Sequence, residues 1–261
     1  MVSLSYRNAK GFFSMISIPS AQKEPSVYWI GDSTVQFNHM DTWPQCGMGQ
    51  VLDLYLRPGI TVHDHAKNGR SAKSFRAEGL WEPVSRALQP GDLLLIQFGH
   101  NDEKEYDPAR YAAPEEFARL LLDYARLAKE KGAHPVLVTP LTRRHLLPNG
   151  KLENSHGVYP DTVRMLAVRE KLPLIDLTAA SRALVESLPE EKSREFYMVF
   201  PAGVYDNYPE GKEDNTHLRY LGAVKFCGLL ADGLKALGGV YADFLLQGPI
   251  ADKYDGKQYE K

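Results

Sequence analysis

Five short apolar runs, separated by stretches that can form helices, constrain the fold of this chain more than any other feature. Each is bounded by Gly, Pro, Asn or Asp, and they lie at residues 27–30, 60–62, 93–98, 135–138 and 172–177. Such runs predict buried strands. Residues 114–132 illustrate the helical stretches, because Pro114 stands at the start, Gly132 at the end and apolar residues recur at helical spacing. This alternation predicts an α/β fold, a three-layer α/β/α sandwich around a five-stranded, mainly parallel sheet.

No repeat, linker or low-complexity tract divides the chain, so we expect one domain over residues 1–261. Within it we expect an N-terminal extension (1–24), a core (25–240) and a C-terminal tail (241–261). The pattern of residues 217–237 predicts a last layer helix. Two long polar stretches, 142–160 and 200–216, interrupt the alternation and are expected to form lids or binding surfaces.

Charge and composition exclude several classes of function. A net charge of −2 without a basic run argues against a nucleic-acid partner. No apolar run approaches the roughly 18 residues that cross a bilayer, and serines interrupt the apolar segment at 11–21 that a signal peptide would need. Cys46 and Cys227 lie in no metal or redox motif and are expected to be free thiols. We therefore expect a cytoplasmic enzyme, with secretion as the alternative, and no membrane partner, while its oligomeric state stays open.

Turn residues follow the first three predicted strands, at the sheet edge where ligands bind in doubly wound folds. These exits read "GDSTVQ" (31–36), "HAKNGRSAKSF" (65–75) and "FGHND" (98–102). Ser33 is a candidate nucleophile at a strand end or, alternatively, a helix N-cap. Ser71 is a rival with the same Gly-x-Ser form. Val35 and Lys73 replace the last glycine of G-x-S-x-G, so the nucleophile elbow of α/β hydrolases is absent.

A serine nucleophile needs a base, and the "DNTH" segment at 214–217 offers one. Asp214 stands three residues before His217, so within one turn its carboxylate can hold Nδ1 and leave Nε2 to accept a proton. A helix cap is the alternative interpretation of this segment. His63 and His65 alternate along a strand as two metal ligands would, but no neighbouring residues complete a coordination sphere. We therefore predict neither a metal nor an organic cofactor.

Four segments together resemble the sequence blocks of the SGNH, or GDSL-type, hydrolase superfamily. They are Gly31-Asp32-Ser33, Asn68-Gly69, Gly99-His100-Asn101-Asp102 and Asp214-Asn215-Thr216-His217, and they occur in the family's order. The wording "GDSTVQ", "NGRSAKSF" and "FGHND" is similar to that of rhamnogalacturonan acetylesterases. Members of that family remove acetyl groups from the galacturonic acid residues of the rhamnogalacturonan backbone of pectin.

This resemblance implies a flavodoxin-like SGNH fold and a role for each matching residue. Ser33 would be the nucleophile, His217 the base and Asp214 its orienting carboxylate. The backbone N–H groups of Ser33 and Gly69 and the side-chain amide of Asn101 would form the oxyanion hole. The resemblance also implies an acetylated carbohydrate as substrate, and it leaves Ser71 and Ser74 with structural roles around the Gly69 turn.

A pectic substrate is polyanionic, so we expect cations and aromatic rings near the site. The predicted substrate contacts are Arg70, Trp81, His100, Arg143 and Tyr205. Each of these residues also has a structural alternative. The arginines are then solvated surface cations, the aromatic residues belong to the core, and His100 supports its loop. Two other functions stay open. A lipase or thioesterase on this fold is disfavoured by the polar loops, and a non-catalytic binding module by the joint presence of Ser33, Asn101, Asp214 and His217.

Overall fold

The computed structural model describes residues 2–7, 13–18 and 24–247, and its main sheet has five parallel strands. Near the start of the chain, β1 (Val2–Arg7) pairs antiparallel with β2 (Phe13–Ile18). The main sheet consists of β3 (Ser26–Ile30), β4 (Thr61–Asp64), β5 (Leu93–Gln97), β6 (His134–Val138) and β7 (Leu174–Ile175). Their order is β4-β3-β5-β6-β7. All five predicted strands are confirmed, and the order reverses between β3 and β5, which creates the crevice where such folds bind ligands.

Eight α-helices connect and cover the strands within the described residues. They are α1 (Ala72–Ala77), α2 (Trp81–Ala87), α3 (Pro114–Glu130), α4 (Tyr159–Glu170), α5 (Leu177–Glu186), α6 (Glu190–Arg194), α7 (Tyr220–Leu237) and α8 (Gly239–Ala242). The predicted helix at 114–132 is α3, which begins at Pro114 and ends before Gly132, a residue with φ of 75°. Short 3-10 turns at Met40–Thr42, Met48–Gln50 and Leu52–Tyr55 fill the connection between β3 and β4.

Two hydrophobic cores lie on opposite faces of the sheet, because side chains alternate along each strand. In β3, Val27 and Trp29 face a core completed by α5 and α7, whereas Tyr28 and Ile30 face a second core completed by α1 to α4. Burying one such large apolar side chain stabilises the fold by about 1.5–3 kcal/mol. This arrangement confirms the predicted three-layer sandwich.

A second antiparallel pair follows α6 and carries part of the site. It consists of β8 (Tyr197–Phe200) and β9 (Lys212–Leu218). Met198 faces Asp214 while the neighbouring Tyr197 faces Leu218, so residues 215–217 form a bulge in β9. The polar sequence of residues 200–216 predicts a loop. The structure corrects this, because backbone pairing with the buried β8 makes the polar segment from Lys212 a strand.

Residues 241–247, assigned from the sequence to a C-terminal tail, pack against the core. Phe244 and Leu245 are buried, and Leu245 forms a bridge with Leu56. Residues 248–261 of the expected tail lie outside the described residues, as do parts of the expected N-terminal extension and of the apolar segment at 11–21. In the described part of the chain, no helix has both the length and the apolar character needed to span a membrane.

Candidate active site

The loop after β3 holds Ser33 in a tight turn at the edge of the sheet. The backbone N–H groups of Val35 and Gln36 both donate to the carbonyl oxygen of Asp32. The buried Asp32 carboxylate accepts from the backbone N–H and the hydroxyl of Thr34, both at 2.9 Å. Gly31 is required here, since a Cβ on it would lie 2.8 Å from the carbonyl oxygen of Gln97. Gly31 thereby packs closely against β5, and the neighbouring Ser33 has 8% of its surface exposed.

Ser33, His217 and Asp214 form a continuous chain of hydrogen bonds. Nε2 of His217 lies 2.9 Å from Oγ of Ser33, and its Nδ1 lies 2.7 Å from Oδ2 of Asp214. A carboxylate can only accept, so the proton of a neutral His217 lies on Nδ1 and Nε2 is left to accept from the serine hydroxyl. The structure therefore brings together the three side chains that the sequence singled out.

The bulge in β9 explains why Asp214 and His217 meet. Oδ1 of Asp214 accepts from the backbone N–H groups of Thr216 and His217 at 2.9 and 3.0 Å, which closes a turn over residues 214–217. Burial alone would raise the pKa of Asp214, but these hydrogen bonds and the contact with the His217 side chain hold the pKa well below its ordinary value. Asp214 is therefore a carboxylate throughout the neutral range.

The loop after β4 carries Gly69 to the same place. Gly69 has φ of 73°, a left-handed conformation that a residue with a Cβ rarely adopts. The backbone N–H of Asn68 donates to the side-chain oxygen of Gln36, which ties this loop to the one that holds Ser33. Together with Ser33, Asn68 and Gly69 line a pocket of about 470 Å³.

Asn101 enters this pocket from the loop after β5. Its Nδ2 donates to the carbonyl oxygen of Arg70 at 3.0 Å, and its Oδ1 accepts from Nζ of Lys104 at 2.7 Å. A primary amide has two N–H groups, so the second N–H of Asn101 is left for a ligand. Ser33, Gly69 and Asn101, the three predicted oxyanion-hole residues, all line the pocket.

Asp102 connects the second and third of these loops, a role that the sequence analysis did not assign. Its carboxylate oxygens accept from the backbone N–H groups of Ala72 at 2.8 Å and Gly99 at 3.0 Å. The side chain is fully buried, and burial is the main cause that raises its pKa well above the ordinary value. Asp102 therefore fixes the start of α1, and with it the Gly69 turn, against the loop of Asn101.

Ser71, the rival nucleophile, has a structural position. It is the N-cap of α1, where its hydroxyl accepts from the backbone N–H of Ser74 while the Ser74 hydroxyl accepts from the backbone N–H of Ser71. This reciprocal pair is a capping box. Ser71 has no exposed surface, so it is not open to a substrate.

Two of the five predicted substrate contacts line the pocket. The guanidinium of Arg143 forms an ion pair with Glu103 and donates to the carbonyl oxygen of His100. His100 is only 3% exposed and meets the His156 ring edge-to-face at 4.5 Å. Burial, followed by nearby positive charges, lowers the pKa of His100 well below its ordinary value, so that this ring is neutral. His100 thus has the buttressing position that the sequence analysis offered as an alternative.

The other three predicted contacts lie outside the pocket lining. Trp81 is 4% exposed and packs 4.7 Å from the Tyr124 ring, so the prediction that it binds substrate is wrong and its core alternative applies. The side chain of Arg70 forms an ion pair with Glu78 at 2.8 Å and donates to the carbonyl oxygen of Asn68 at 2.9 Å, while the carbonyl oxygen of Arg70 accepts from Asn101. Tyr205 packs against Phe200, with ring centres 4.6 Å apart.

Further side chains line the pocket that the sequence analysis did not single out. Lys104 is the more informative of them, and its signal in the sequence was its position three residues after Asn101 in "GHNDEK". Gln45 comes from the long connection between β3 and β4, where no pattern marks it. His63 and His65, weighed as metal ligands, instead stack on the Tyr28 ring, with ring centres 4.6 and 5.9 Å away.

Known proteins resemble this chain over most of its length. It is 40% identical over 225 residues to the rhamnogalacturonan acetylesterase RhgT of Bacillus subtilis strain 168, a match that covers 86% of this chain and 96% of that protein. It is 37% identical over 213 residues to the probable rhamnogalacturonan acetylesterase YesY of the same organism, covering 81% of this chain and 93% of YesY. A scan against protein-family models finds no match.

Solved structures support the same assignment of the fold. The structure of YxiM from Bacillus subtilis superposes with a TM-score of 0.69 and 29% identity, over 82% of this chain and 57% of that one. Axe2, an acetylxylan esterase from Geobacillus stearothermophilus, superposes with a TM-score of 0.57 and 15% identity, over 80% of this chain and 93% of that one. At that level of identity, Axe2 is evidence for the fold alone.

Proposed function

Because this chain belongs to the rhamnogalacturonan acetylesterases, carboxylic ester hydrolases with the SGNH fold, we propose that it removes O-acetyl groups from rhamnogalacturonan through a Ser-His-Asp triad. The observation that carries the mechanism is the 2.9 Å contact between Oγ of Ser33 and Nε2 of His217. The substrate is proposed from the relatives, since RhgT is named a rhamnogalacturonan acetylesterase and YesY a probable one. The substrate is an acetylated polysaccharide or an oligosaccharide derived from it.

The first half of the reaction acylates the enzyme. Oγ of Ser33 attacks the acetyl carbonyl carbon while Nε2 of His217 takes the hydroxyl proton. The adjacent Asp214 carboxylate stabilises the imidazolium that forms, and its low pKa keeps it ionised during this step. His217 then protonates the departing sugar oxygen, which leaves an acetyl group on Ser33.

The negative charge of the tetrahedral intermediate needs donors that are already in position. Ser33, Gly69 and Asn101 come from three separate loops and line one pocket. In the proposed mechanism the donors are the backbone N–H groups of Ser33 and Gly69 and the free N–H of Asn101. One such donor is typically worth about 10²–10³ in rate. Because the loops are held by Asp102 and by the hydrogen bond from Asn68 to Gln36, little reorganisation accompanies the reaction.

The second half of the reaction releases acetate. Nε2 of His217 accepts a proton from a water molecule, which attacks the acetyl carbonyl carbon, and the second tetrahedral intermediate uses the same donors. Collapse of this intermediate breaks the bond to Oγ of Ser33, and His217 returns the proton to the serine. The chain's own residues supply every proton transfer in this cycle.

The alternative is an SGNH esterase, lipase or thioesterase that acts on another acetylated carbohydrate or small acyl ester. The pocket favours a short acyl group beside a polar leaving group, because Gln45, Asn68, Lys104 and Arg143 line it. A long acyl chain would need an apolar channel to be bound.

Acetate release from acetylated rhamnogalacturonan, compared with acetylated xylan, tests the substrate. We expect faster release from the pectic polymer, and equal rates would contradict the pectic assignment. The mechanism is tested with p-nitrophenyl acetate and a long-chain p-nitrophenyl ester. We expect Ser33→Ala to lose at least about 10³-fold in kcat on the acetate ester.

Ser71→Ala is the matched control for the serine. It removes the rival hydroxyl and one helix cap, so we expect a stability loss of about 1 kcal/mol and a less than tenfold change in activity. Full activity in Ser33→Ala, or a wild type inactive on both esters, would contradict the serine-esterase mechanism.

A further inference from the structure

The side-chain amide of Asn101 can occupy its site in two orientations that exchange oxygen and nitrogen. Rotation of an amide about its terminal bond has a broad, roughly two-fold profile, so packing alone discriminates poorly between them. In the observed orientation, Nδ2 donates to the carbonyl oxygen of Arg70 at 3.0 Å and retains one N–H for the oxyanion. The reversed orientation would turn a carbonyl oxygen toward the developing negative charge.

Lys104 provides the contact that distinguishes these orientations at the oxygen end. Its Nζ lies 2.7 Å from Oδ1 of Asn101, a short distance typical of a hydrogen bond from a charged donor. An ammonium group can only donate hydrogen bonds. Its contact with Oδ1 is therefore favourable, whereas a contact with the amide nitrogen, which is also a donor, would be unfavourable. The carbonyl oxygen of Arg70 can only accept and selects in the same sense.

The ammonium group of Lys104 contacts the Asn101 amide and lines the pocket, and the nearby carboxylates pair with other residues. Neighbouring Arg143 and Arg110 have carboxylate partners in Glu103 and Asp107, respectively. Within residues 24–247, no carboxylate lies within ion-pair distance of Lys104. Its charge is therefore not neutralised by a direct partner, and it polarises the amide to which it donates.

We propose that Lys104 is a positioning residue that fixes and polarises the Asn101 amide, so that its free N–H faces the oxyanion. This inference rests on the proposed esterase mechanism and extends it to a residue that does not touch the reacting atoms. In this role Lys104 acts through Asn101, so its removal lowers the rate of the chemical steps and leaves the binding of a neutral ester nearly unchanged.

The test is a double-mutant cycle with p-nitrophenyl acetate, a neutral substrate whose binding does not depend on a cationic pocket. Asn101→Ala gives the largest loss that Lys104 could cause through Asn101, and we expect it to lower kcat by about 10²–10³-fold. Lys104→Met is expected to lose about 10- to 100-fold in kcat, with KM changed less than threefold. The double variant Asn101→Ala/Lys104→Met is expected to be no slower than Asn101→Ala, because residues that act as a unit are not additive.

Arg110→Met is the matched control, since it also removes one positive charge near the pocket residue Gly69 but has no hydrogen bond to Asn101. We expect its kcat to stay within threefold of the wild type. Lys104→Gln provides the same cycle if the methionine variant does not fold, as judged by thermal unfolding.

Two outcomes would overturn the role of Lys104. One is a kcat in Lys104→Met that matches the wild type, and the other is a further loss of the same size when Lys104→Met is added to Asn101→Ala. Failure of the proposed esterase function is distinguishable from both, because in that case Ser33→Ala and the wild type have equal activity.

Discussion

A single carboxylate, that of Asp214, both shapes the backbone and orients the imidazole of His217. Oδ1 accepts the two backbone N–H groups that close the bulge in β9, while Oδ2 holds Nδ1 of His217. The turn and the imidazole therefore share one anchor. This explains why an Asp-x-x-His spacing is compatible with a strand, although the sequence analysis expected a turn before a helix.

Asp214→Asn separates these two roles. The amide oxygen can still accept backbone N–H groups, but the amide nitrogen toward Nδ1 favours the wrong tautomer of His217. We expect kcat on p-nitrophenyl acetate to fall about 10³- to 10⁴-fold while the melting temperature at pH 7 changes by only a few degrees. A loss of less than tenfold would contradict the role of Asp214 as the orienting residue.

The folded state is expected to lose stability with rising pH because of Asp64, at the end of β4. Burial raises the pKa of Asp64 to about 7, although backbone N–H groups of Ala66 and Phe37 oppose the shift. A raised carboxyl pKa means that the folded state binds the proton more tightly than the unfolded state. Its contribution is therefore present below the unfolded pKa of about 4 and is lost as the pH rises through about 7.

Urea unfolding at pH 5 and pH 7.5 checks this prediction. We expect Asp64→Asn to reduce the difference in the free energy of unfolding between the two pH values by about 2 kcal/mol. Asp41→Asn, at an exposed position, is the matched control and should leave that difference unchanged. An equal pH dependence in wild type and Asp64→Asn would exclude Asp64 as its source.

At the scale of elements, three strand-end loops and the β8–β9 pair converge on one pocket. The loops after β3, β4 and β5 supply Ser33, Gly69 and Asn101, whereas β9 supplies Asp214 and His217. The five main strands were predictable because their apolar runs lie between turn residues. The sequence of β9, "KEDNTHL", is polar and pairs with a distant partner, so local pattern did not reveal it. The partner strand β8 has the apolar sequence "YMVF", which is a pattern typical of a buried strand.

The start of α7 is packed directly against the residue that precedes β8. A Cβ on Gly222 would lie 2.0 Å from the carbonyl oxygen of Phe196, and backbone cannot move away as a flexible side chain does. We expect Gly222→Ala to lower the free energy of unfolding by about 1–3 kcal/mol. Activity should fall as well, because His217 lies three residues before α7.

Gly228→Ala is the control on the same helix. Its Cβ would meet the hydroxyl of Tyr55 at 3.2 Å, a much milder contact than the one at Gly222, and alanine favours helix by up to about 1 kcal/mol. We expect little change in stability or activity. Equal effects of the two substitutions in urea unfolding would contradict the close packing of α7.

For the whole molecule, the path of the backbone is more predictable from the sequence than the directions of the side chains. The sheet, its layers and the residues at the strand ends follow from periodicity and from the four resembling segments. The directions of long side chains do not, since Arg70 turns to Glu78 and Trp81 packs on Tyr124 although both stand beside a predicted site segment. Such choices depend on neighbours that are distant in sequence.

The end of the described chain is part of the core and contributes to its stability. Phe244 is 2% exposed, and its carbonyl oxygen accepts from the backbone N–H of Arg57. We expect Phe244→Ala to lower the free energy of unfolding by about 3–5 kcal/mol. Leu246→Ala, at a position 36% exposed, is the control and should cost less than about 1 kcal/mol. Similar losses in the two variants would contradict this placement.

The hydrogen bond between Ser33 and His217 joins residues 184 positions apart. On a ribosome, Ser33 therefore leaves the exit tunnel long before His217 has been synthesised, and no partial chain that ends before β9 contains the proposed triad. Contacts of such long range also form slowly. During refolding from denaturant, esterase activity should return no earlier than the pairing of β8 with β9, so that the enzyme's own reaction reports when this pairing has formed.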